Sequence, residues 1–284
     1  MKITIELLNN HYQVNTDFSW SLAIPLAFNH QQPNHFDAVQ ASSKAMQAGG
    51  FIGDTEQGGS CNVNELRLNP HCNGTHTETI AHICDFSAPL SVMLSEITLP
   101  ALMPSALISI TPELASQSSD SYSPNFSIND RIITRTALEQ TLGRYENEQC
   151  QAVIIRTLPN ELDKQTMRYS AEQRAEQQPA FFSREAILYL NERGVEHLLV
   201  DMPSIDRLHD DGLMTCHHLF WLVVEGAHQP SPTSLINKTI TEMIYVDNHL
   251  NDGFYFINIQ TPAFVNDAAP SRPVLYAAQL ITPI

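Results

Sequence analysis

Residues His71-Cys72-Asn73-Gly74-Thr75-His76-Thr77-Glu78-Thr79-Ile80-Ala81-His82 bring three histidines, a cysteine and a glutamate into twelve positions. The chain has twelve histidines in 284 residues, so chance would put about half of one in such a window. Imidazole, thiolate and carboxylate together suit zinc or a neighbouring divalent transition metal better than magnesium or calcium. A purely structural zinc site would want four closed Cys/His ligands in paired form, and the chain contains no CxxC. A histidine-rich surface loop is the plainer alternative, but small Thr, Ala and Gly residues separate the donors where a solvated loop would carry charge.

The spacing dictates what the backbone must do. Cys72, His76, Glu78 and His82 share parity, yet one strand would spread Cys72 and His82 roughly 33 Å apart at about 3.3 Å per residue. One helix would put His76 and Glu78 about 200° apart around its axis. The workable path is a turn at Asn73-Gly74, a short extended piece with His76 and Glu78 on one face, and a second turn before His82. Gly74 supplies the permissive backbone for the first bend.

This run resembles the signature of the metal-dependent cyclase/hydrolase family that includes bacterial kynurenine formamidase, His-x-Gly-Thr-His-x-Asp-x-Pro-x-His. Gly74-Thr75-His76, Glu78 and His82 stand in register with it. Cys72 holds the first histidine position with His71 beside it, Glu78 stands for Asp, and Ile80 for Pro. Further patches resemble the family too. They are Ser19-Trp20-Ser21-Leu22-Ala23-Ile24-Pro25-Leu26, the turn Asp201-Met202-Pro203-Ser204-Ile205-Asp206, and a C-terminal block through Arg272-Pro273-Val274-Leu275.

The resemblance implies a swivelling β/β/α cyclase-type fold, with a mixed, partly parallel central sheet, as a single domain over residues 1–284 that forms homo-oligomers. It implies hydrolysis of an amide, formamide or cyclic amide or ester bond by metal-activated water, similar to arylformamidase. A non-catalytic metal- or ligand-binding relative of the same fold is the alternative. One or two zinc ions, or manganese, would be held by Cys72 or His71, with His76, Glu78, His82, His217 or His218, and Glu242. Proton transfer would fall to Glu242, His217 or His218. Trp20, Phe28, Ser204, Asp206 and Trp221 are the candidates for the wall of a small-molecule pocket, an aromatic one if the rings stack it.

A net charge of −16 with only 15 Lys and Arg argues against nucleic acid or an anionic membrane surface as partner. No apolar run reaches the roughly 20 residues that span a bilayer. The N-terminus alternates like a strand and has no signal-peptide core. Five irregularly spaced cysteines do not suggest a disulfide framework, so a reducing cytoplasm is the expectation.

Strands are expected over residues 3–7, 12–14, 106–110, 132–134, 151–157, 197–201 and 254–259, and helices over 137–142 and 184–193. Ser183 and Gly194 mark the ends of the second helix. Strand, helix, strand over residues 151–201 is a βαβ unit and favours an α/β fold. The glycine-rich stretch 49–60 lacks a Walker pattern and reads as a mobile loop near the pocket. Residues 159–179 read as a solvated excursion.

Overall fold

The strand Ala152–Thr157 is buried along its whole length, and its β-branched run suits the middle of a sheet covered on both faces. In the computed structural model, which describes residues 1–170 and 178–281, it pairs in parallel with Met103–Ile110 and His197–Val200. His197–Val200 pairs in parallel with Thr239–Glu242. Helices Arg135–Leu142, Arg184–Glu192 and Thr215–Trp221 fall one in each of the three connections. This half of the molecule is therefore a succession of βαβ units.

Antiparallel strands extend the sheet at both ends. Gly253–Gln260, Arg272–Ile281, Asn10–Asn15 and Lys2–Leu7 follow beyond Met103–Ile110, while His76–Glu78 and Ala268–Pro270 follow beyond Thr239–Glu242. The mixed, partly parallel sheet expected of a cyclase-type α/β fold is what the chain forms. Alternation along the strands divides the core. Val153, Ile155 and Leu198 pack under the helices with Leu138, Ile187, Leu190 and Phe220. Ile154 and Leu199 face the other way, against Leu22, Leu107 and Ile257.

Local chemistry sets the helix ends. Thr134 and Ser183 accept hydrogen bonds from the Ala137 and Ala186 amides at the helix starts, and Gly194 leaves the second helix with φ of +70°. No described helix is long and apolar enough to cross a membrane.

Several expectations need correction. Arg131–Ile133 is a strand, but of a separate three-stranded sheet with Glu113–Leu114 and Phe181–Phe182. The helix Thr215–Trp221 has no counterpart among the expected elements. The glycine-rich stretch folds as a small hairpin and a 3-10 turn whose residues do not line the site. The described part of the supposed excursion is tied to the sheet. Lys164 Nζ lies 2.8 Å from the buried Asp201 carboxylate and 2.7 Å from the Thr157 carbonyl, because that carboxylate at a strand end needs a cation. Residues 171–177 of the excursion lie outside the described residues.

The same segment shapes a turn of importance below. Arg168–Tyr169 pairs in parallel with Asn34–His35, after which Phe36 and Asp37 both take left-handed backbone, φ +55° and +51°. For non-glycine residues this costs about 1–2 kcal/mol each. The turn is over-determined: the Phe36 amide donates to the Tyr169 carbonyl, Asn34 Nδ2 to the Ala38 carbonyl, and Arg168 Nε to Asp37 Oδ1.

His197 in the central sheet is buried, with its Nδ1 2.9 Å from Thr239 Oγ1. Burial, the largest influence, pushes its imidazole down to about 4. Its folded pKa lies below the unfolded value near 6.5, so acid loads a proton onto the unfolded chain first. Stability should fall as pH drops from about 6.5 to about 4, by up to about 3 kcal/mol from this group. Urea denaturation of His197→Gln across that range should show a flatter profile than the parent.

Candidate metal centre

The motif's backbone is a succession of short elements, each pinned. Pro70–Asn73 is one helical turn, His76–Glu78 a strand, and Ile80–His82 a 3-10 turn capped by Thr79. Thr75 ties the strand down. Its hydroxyl donates to the Met243 carbonyl at 2.5 Å and accepts from the Ile24 amide at 2.9 Å. The segment 226–238 braces the far end, where the Asp85 amide donates to the His228 carbonyl.

Register then assembles the donors. Thr239–Glu242 pairs antiparallel with His76–Glu78, setting Glu242 directly opposite His76 and Ile240 opposite Glu78. Residues two apart on a strand share a face, so His76, Glu78 and Glu242 meet on one side, and Thr77 bonds Thr241 on the other. Glu242 Oε2 lies 3.5 Å from His76 Nε2, while its Oε1 accepts the Ile205 amide at 2.9 Å.

Glu78 is fully buried at the centre. Its Oε2 lies 3.0 Å from His71 Nδ1, 3.8 Å from His82 Nε2 and 3.9 Å from His76 Nε2. Its Oε1 lies 3.0 Å from His217 Nε2. Every imidazole is anchored through its other nitrogen. His76 Nδ1 bonds the Gly74 carbonyl, His217 Nδ1 bonds Asp206, and Asp267 Oδ2 takes both His71 Nε2 at 2.8 Å and His82 Nδ1 at 3.2 Å. Those anchors orient the four rings, so that the second nitrogen of each is aimed at the glutamates.

Donor chemistry and spacing fit a divalent ion. Ligands about 2.1 Å from a tetrahedral ion lie about 3.4 Å from one another, and the donor separations of 3.0–3.9 Å bracket that value. The longer ones exceed a hydrogen bond. Indeed His76 Nε2 is buried without a hydrogen-bond partner, which is costly unless a cation meets it. Two overlapping sets share Glu78: His71 and His76 on one side, His82 and His217 on the other.

Electrostatics tell the same story. Burial alone would raise the Glu78 carboxyl, but charge interactions with its imidazole neighbours and hydrogen bonds from His217 and His71 hold it well below the usual range. Burial would lower His217 and His71, yet neighbouring carboxylates reverse this. Glu78 and Asp206 raise His217 well above its ordinary value, and Asp267 and Glu78 raise His71 to about 10. Protons thus stand where cations belong.

The other sequence candidates fall differently. Ser204 and Asp206 line the cleft of about 270 Å³ that opens onto the centre. Asp206 also receives the Cys216 and His217 amides, capping helix Thr215–Trp221 from a distant turn and so aiming His217. Cys72 is buried and joins none of the donor sets, because the helical turn at 70–73 breaks the parity that tied it to His76 and presents His71 instead. His218, next to His217 on a helix, is turned about 100° away and does not line the cleft.

Trp221, one turn after His217, buttresses its ring from behind at 5.7 Å and donates Nε1–H to the Lys238 carbonyl. It is core and not pocket wall. Trp20 lies in a separate open groove with Tyr245 and Arg272, since its strand pairs with Arg272–Ile281. Phe28 does not line the cleft. Conversely, His35, Phe36, Arg207, Asp210 and Met214 line it, and Asp267 anchors two histidines. No local motif marks these residues, because each arrives through the pairing of distant segments.

The chain thus sets a buried His/Glu centre at the edge of a mixed α/β sheet. A family model described as putative cyclase matches residues 8–207, and the chain belongs to that family. Among solved structures it is similar to a predicted metal-dependent hydrolase from Bacillus stearothermophilus, at 15% identity and TM-score 0.56, covering 91% of this chain and 98% of that one. Isatin hydrolase A from Labrenzia aggregata gives 15% identity and TM-score 0.59, covering 91% and 93%. Isatin hydrolase A from Ralstonia solanacearum gives 17% and 0.57, covering 91% of each chain. These likenesses show a shared fold. No curated protein matches the chain by sequence.

Two outcomes are expected. Because His71 and His217 hold protons at pH 7 that an ion must displace, metal affinity should rise with pH and binding should release protons. Calorimetry in buffers of different ionisation enthalpy measures that release. Asp267→Ala, which frees two imidazoles at once, should weaken zinc binding about 10–100-fold in a chelator competition, whereas Cys72→Ser should leave it unchanged.

Proposed function

We propose that this protein is a metal-dependent hydrolase that cleaves a C–N bond in a small aryl amide, formamide or cyclic amide, with zinc as its ion and manganese as the alternative. The observation that carries this is the convergence of four anchored imidazoles and two glutamates on one buried point beside a small cleft. The isatin hydrolases of similar fold supply the precedent for a cyclic amide. The arylformamidase-like activity implied by the sequence motif belongs to the same reaction class.

A divalent ion in this setting supplies Lewis acidity, making water a nucleophile near neutral pH and polarising a carbonyl. The chain's own residues do the rest. His71, His76, His82, His217 and Glu78 would hold the ion, with Asp206 and Asp267 keeping the rings in their binding tautomers. Glu242 lines the cleft with Oε1 tied to the Ile205 amide, so Oε2 is the oxygen free to take a proton from water and deliver it to the leaving nitrogen. Buried Trp221 packs against the His217 ring and limits its movement. Apolar Phe36, Pro203 and Met214 make the cleft a place for a flat ring.

The test is turnover of formanilide and phthalimide by zinc-loaded protein, with and without chelator. His76→Ala and Glu78→Gln should each lose both metal and at least about 100-fold in kcat/KM, since each tenfold corresponds to about 1.4 kcal/mol of lost stabilisation. Full metal occupancy with no turnover across a broad amide and ester panel would favour a binding protein on this fold instead.

A further inference from the structure

Asp206 divides four contacts between its two oxygens. Oδ1 takes the Cys216 amide at 2.7 Å and the Tyr122 hydroxyl at 2.6 Å. Oδ2 takes the His217 amide at 3.0 Å and meets the His217 ring nitrogen Nδ1 at 2.5 Å. Three of the four come from helix Thr215–Trp221. Tyr122 is the exception, 84 residues away along the chain.

The direction of the Tyr122 contact is fixed. The Arg207 amide donates to the phenol oxygen at 3.1 Å, and an amide N–H can only donate, so the hydroxyl proton is the one that goes to Asp206. Holding Oδ1 from outside stops the carboxylate from turning about its terminal bond. Oδ2 then stays aimed at His217, whose Nε2 lies 3.0 Å from Glu78 Oε1.

The support behind the hydroxyl is rigid. The Tyr122 ring is 4% exposed, edge-on to buried Phe181 at 4.9 Å and stacked on Phe126 at 5.9 Å. Its neighbours in the chain are clamped on both sides. The Ser121 carbonyl accepts the Arg184 amide at 2.9 Å, and the Thr215 hydroxyl donates to the Ser123 carbonyl at 2.8 Å. The hydroxyl is therefore delivered to Asp206 by the fold and is not free to follow it. Phenylalanine would fill the same space without needing a partner, so packing alone does not call for the oxygen.

We propose that Tyr122 is a positioning residue of the metal centre: through Asp206 it holds the His217 imidazole in the orientation that presents Nε2 to Glu78 and a divalent ion. This rests on the metal reading of the centre, but not on the reaction, and zinc binding measures it without turnover.

The test variant is Tyr122→Phe in the full chain, which keeps the ring and removes the hydroxyl. Zinc affinity in a chelator competition should fall about tenfold. In a His217→Ala background the same substitution should change zinc affinity by less than about twofold, because the ring it positions is gone. In a His71→Ala background, whose ring Asp267 anchored instead, the tenfold loss should persist. Phe181→Leu loosens the packing on the same tyrosine and leaves its hydroxyl. It should lower the thermal midpoint by a few degrees while zinc affinity stays within about twofold.

Unchanged affinity in Tyr122→Phe, an equal loss in the His217→Ala background, or a Phe181→Leu loss as large as that of Tyr122→Phe would each overturn the proposal. A parent protein that takes up no zinc would overturn it together with the metal centre. The expected zinc pattern without amide turnover would support it and count against the hydrolase reading alone.

Discussion

A carboxylate with no exposed surface sits at the middle of this molecule, and the protein must compensate its charge. Glu78 cannot be solvated, and an isolated buried carboxylate would protonate or unfold its surroundings. The chain answers with four imidazoles from four short elements, each rotated so that a lone pair or a proton faces one of the glutamates. Without an ion, protons on His71 and His217 provide the balance. With one, those protons leave. The pair of states explains why the rings are anchored so firmly from outside: a ring free to turn would bond Glu78 with whichever nitrogen was protonated and would no longer be a ligand.

Every element near the site follows from that need. The antiparallel register between His76–Glu78 and Thr239–Glu242 sets Glu242 opposite His76, and the Thr75 hydroxyl locks the register by joining Ile24 to Met243. Asp206 does two tasks with one carboxylate, capping helix Thr215–Trp221 and holding the His217 ring. Asp267 enters because the Thr79 amide donates to its carbonyl at 3.0 Å, which fixes the backbone from which its side chain reaches His71 and His82. Parallel strands deliver Ser204, Asp206 and Glu242 at their carboxyl ends, the usual place for a ligand crevice in such sheets.

Much of this was legible in the linear chain, for identifiable reasons. Two turns around a short extended piece at His76 and Glu78 followed from distances alone, since neither one strand nor one helix could gather the donors. The βαβ succession was visible because Ala152–Thr157 is an uninterrupted apolar run and Ser183 and Gly194 bound the next helix. What could not be read were the residues delivered by long-range pairing. Asp267 has no neighbour in sequence to advertise it, His35 depends on the Arg168–Tyr169 strand for its place, and the aromatic side chains that looked most suitable, Trp20 and Trp221, belong to other surroundings. Aromatic character says that a ring will be packed, not against what.

The exchange of Cys72 for His71 shows how charge selects among candidate ligands. A thiolate in the inner group would add a third anion to Glu78 and Glu242 in a space that already has Asp206 and Asp267 behind it. Burial raises the Cys72 thiol, so it stays neutral and protonated, a poor ligand. An imidazole one residue earlier brings a lone pair without charge, and the helical turn at Pro70–Asn73 makes that residue the one that reaches Asp267 and Glu78. Four neutral rings with two inner carboxylates balance one divalent ion, and the two outer carboxylates leave room for a second or for the protons that stand in its place.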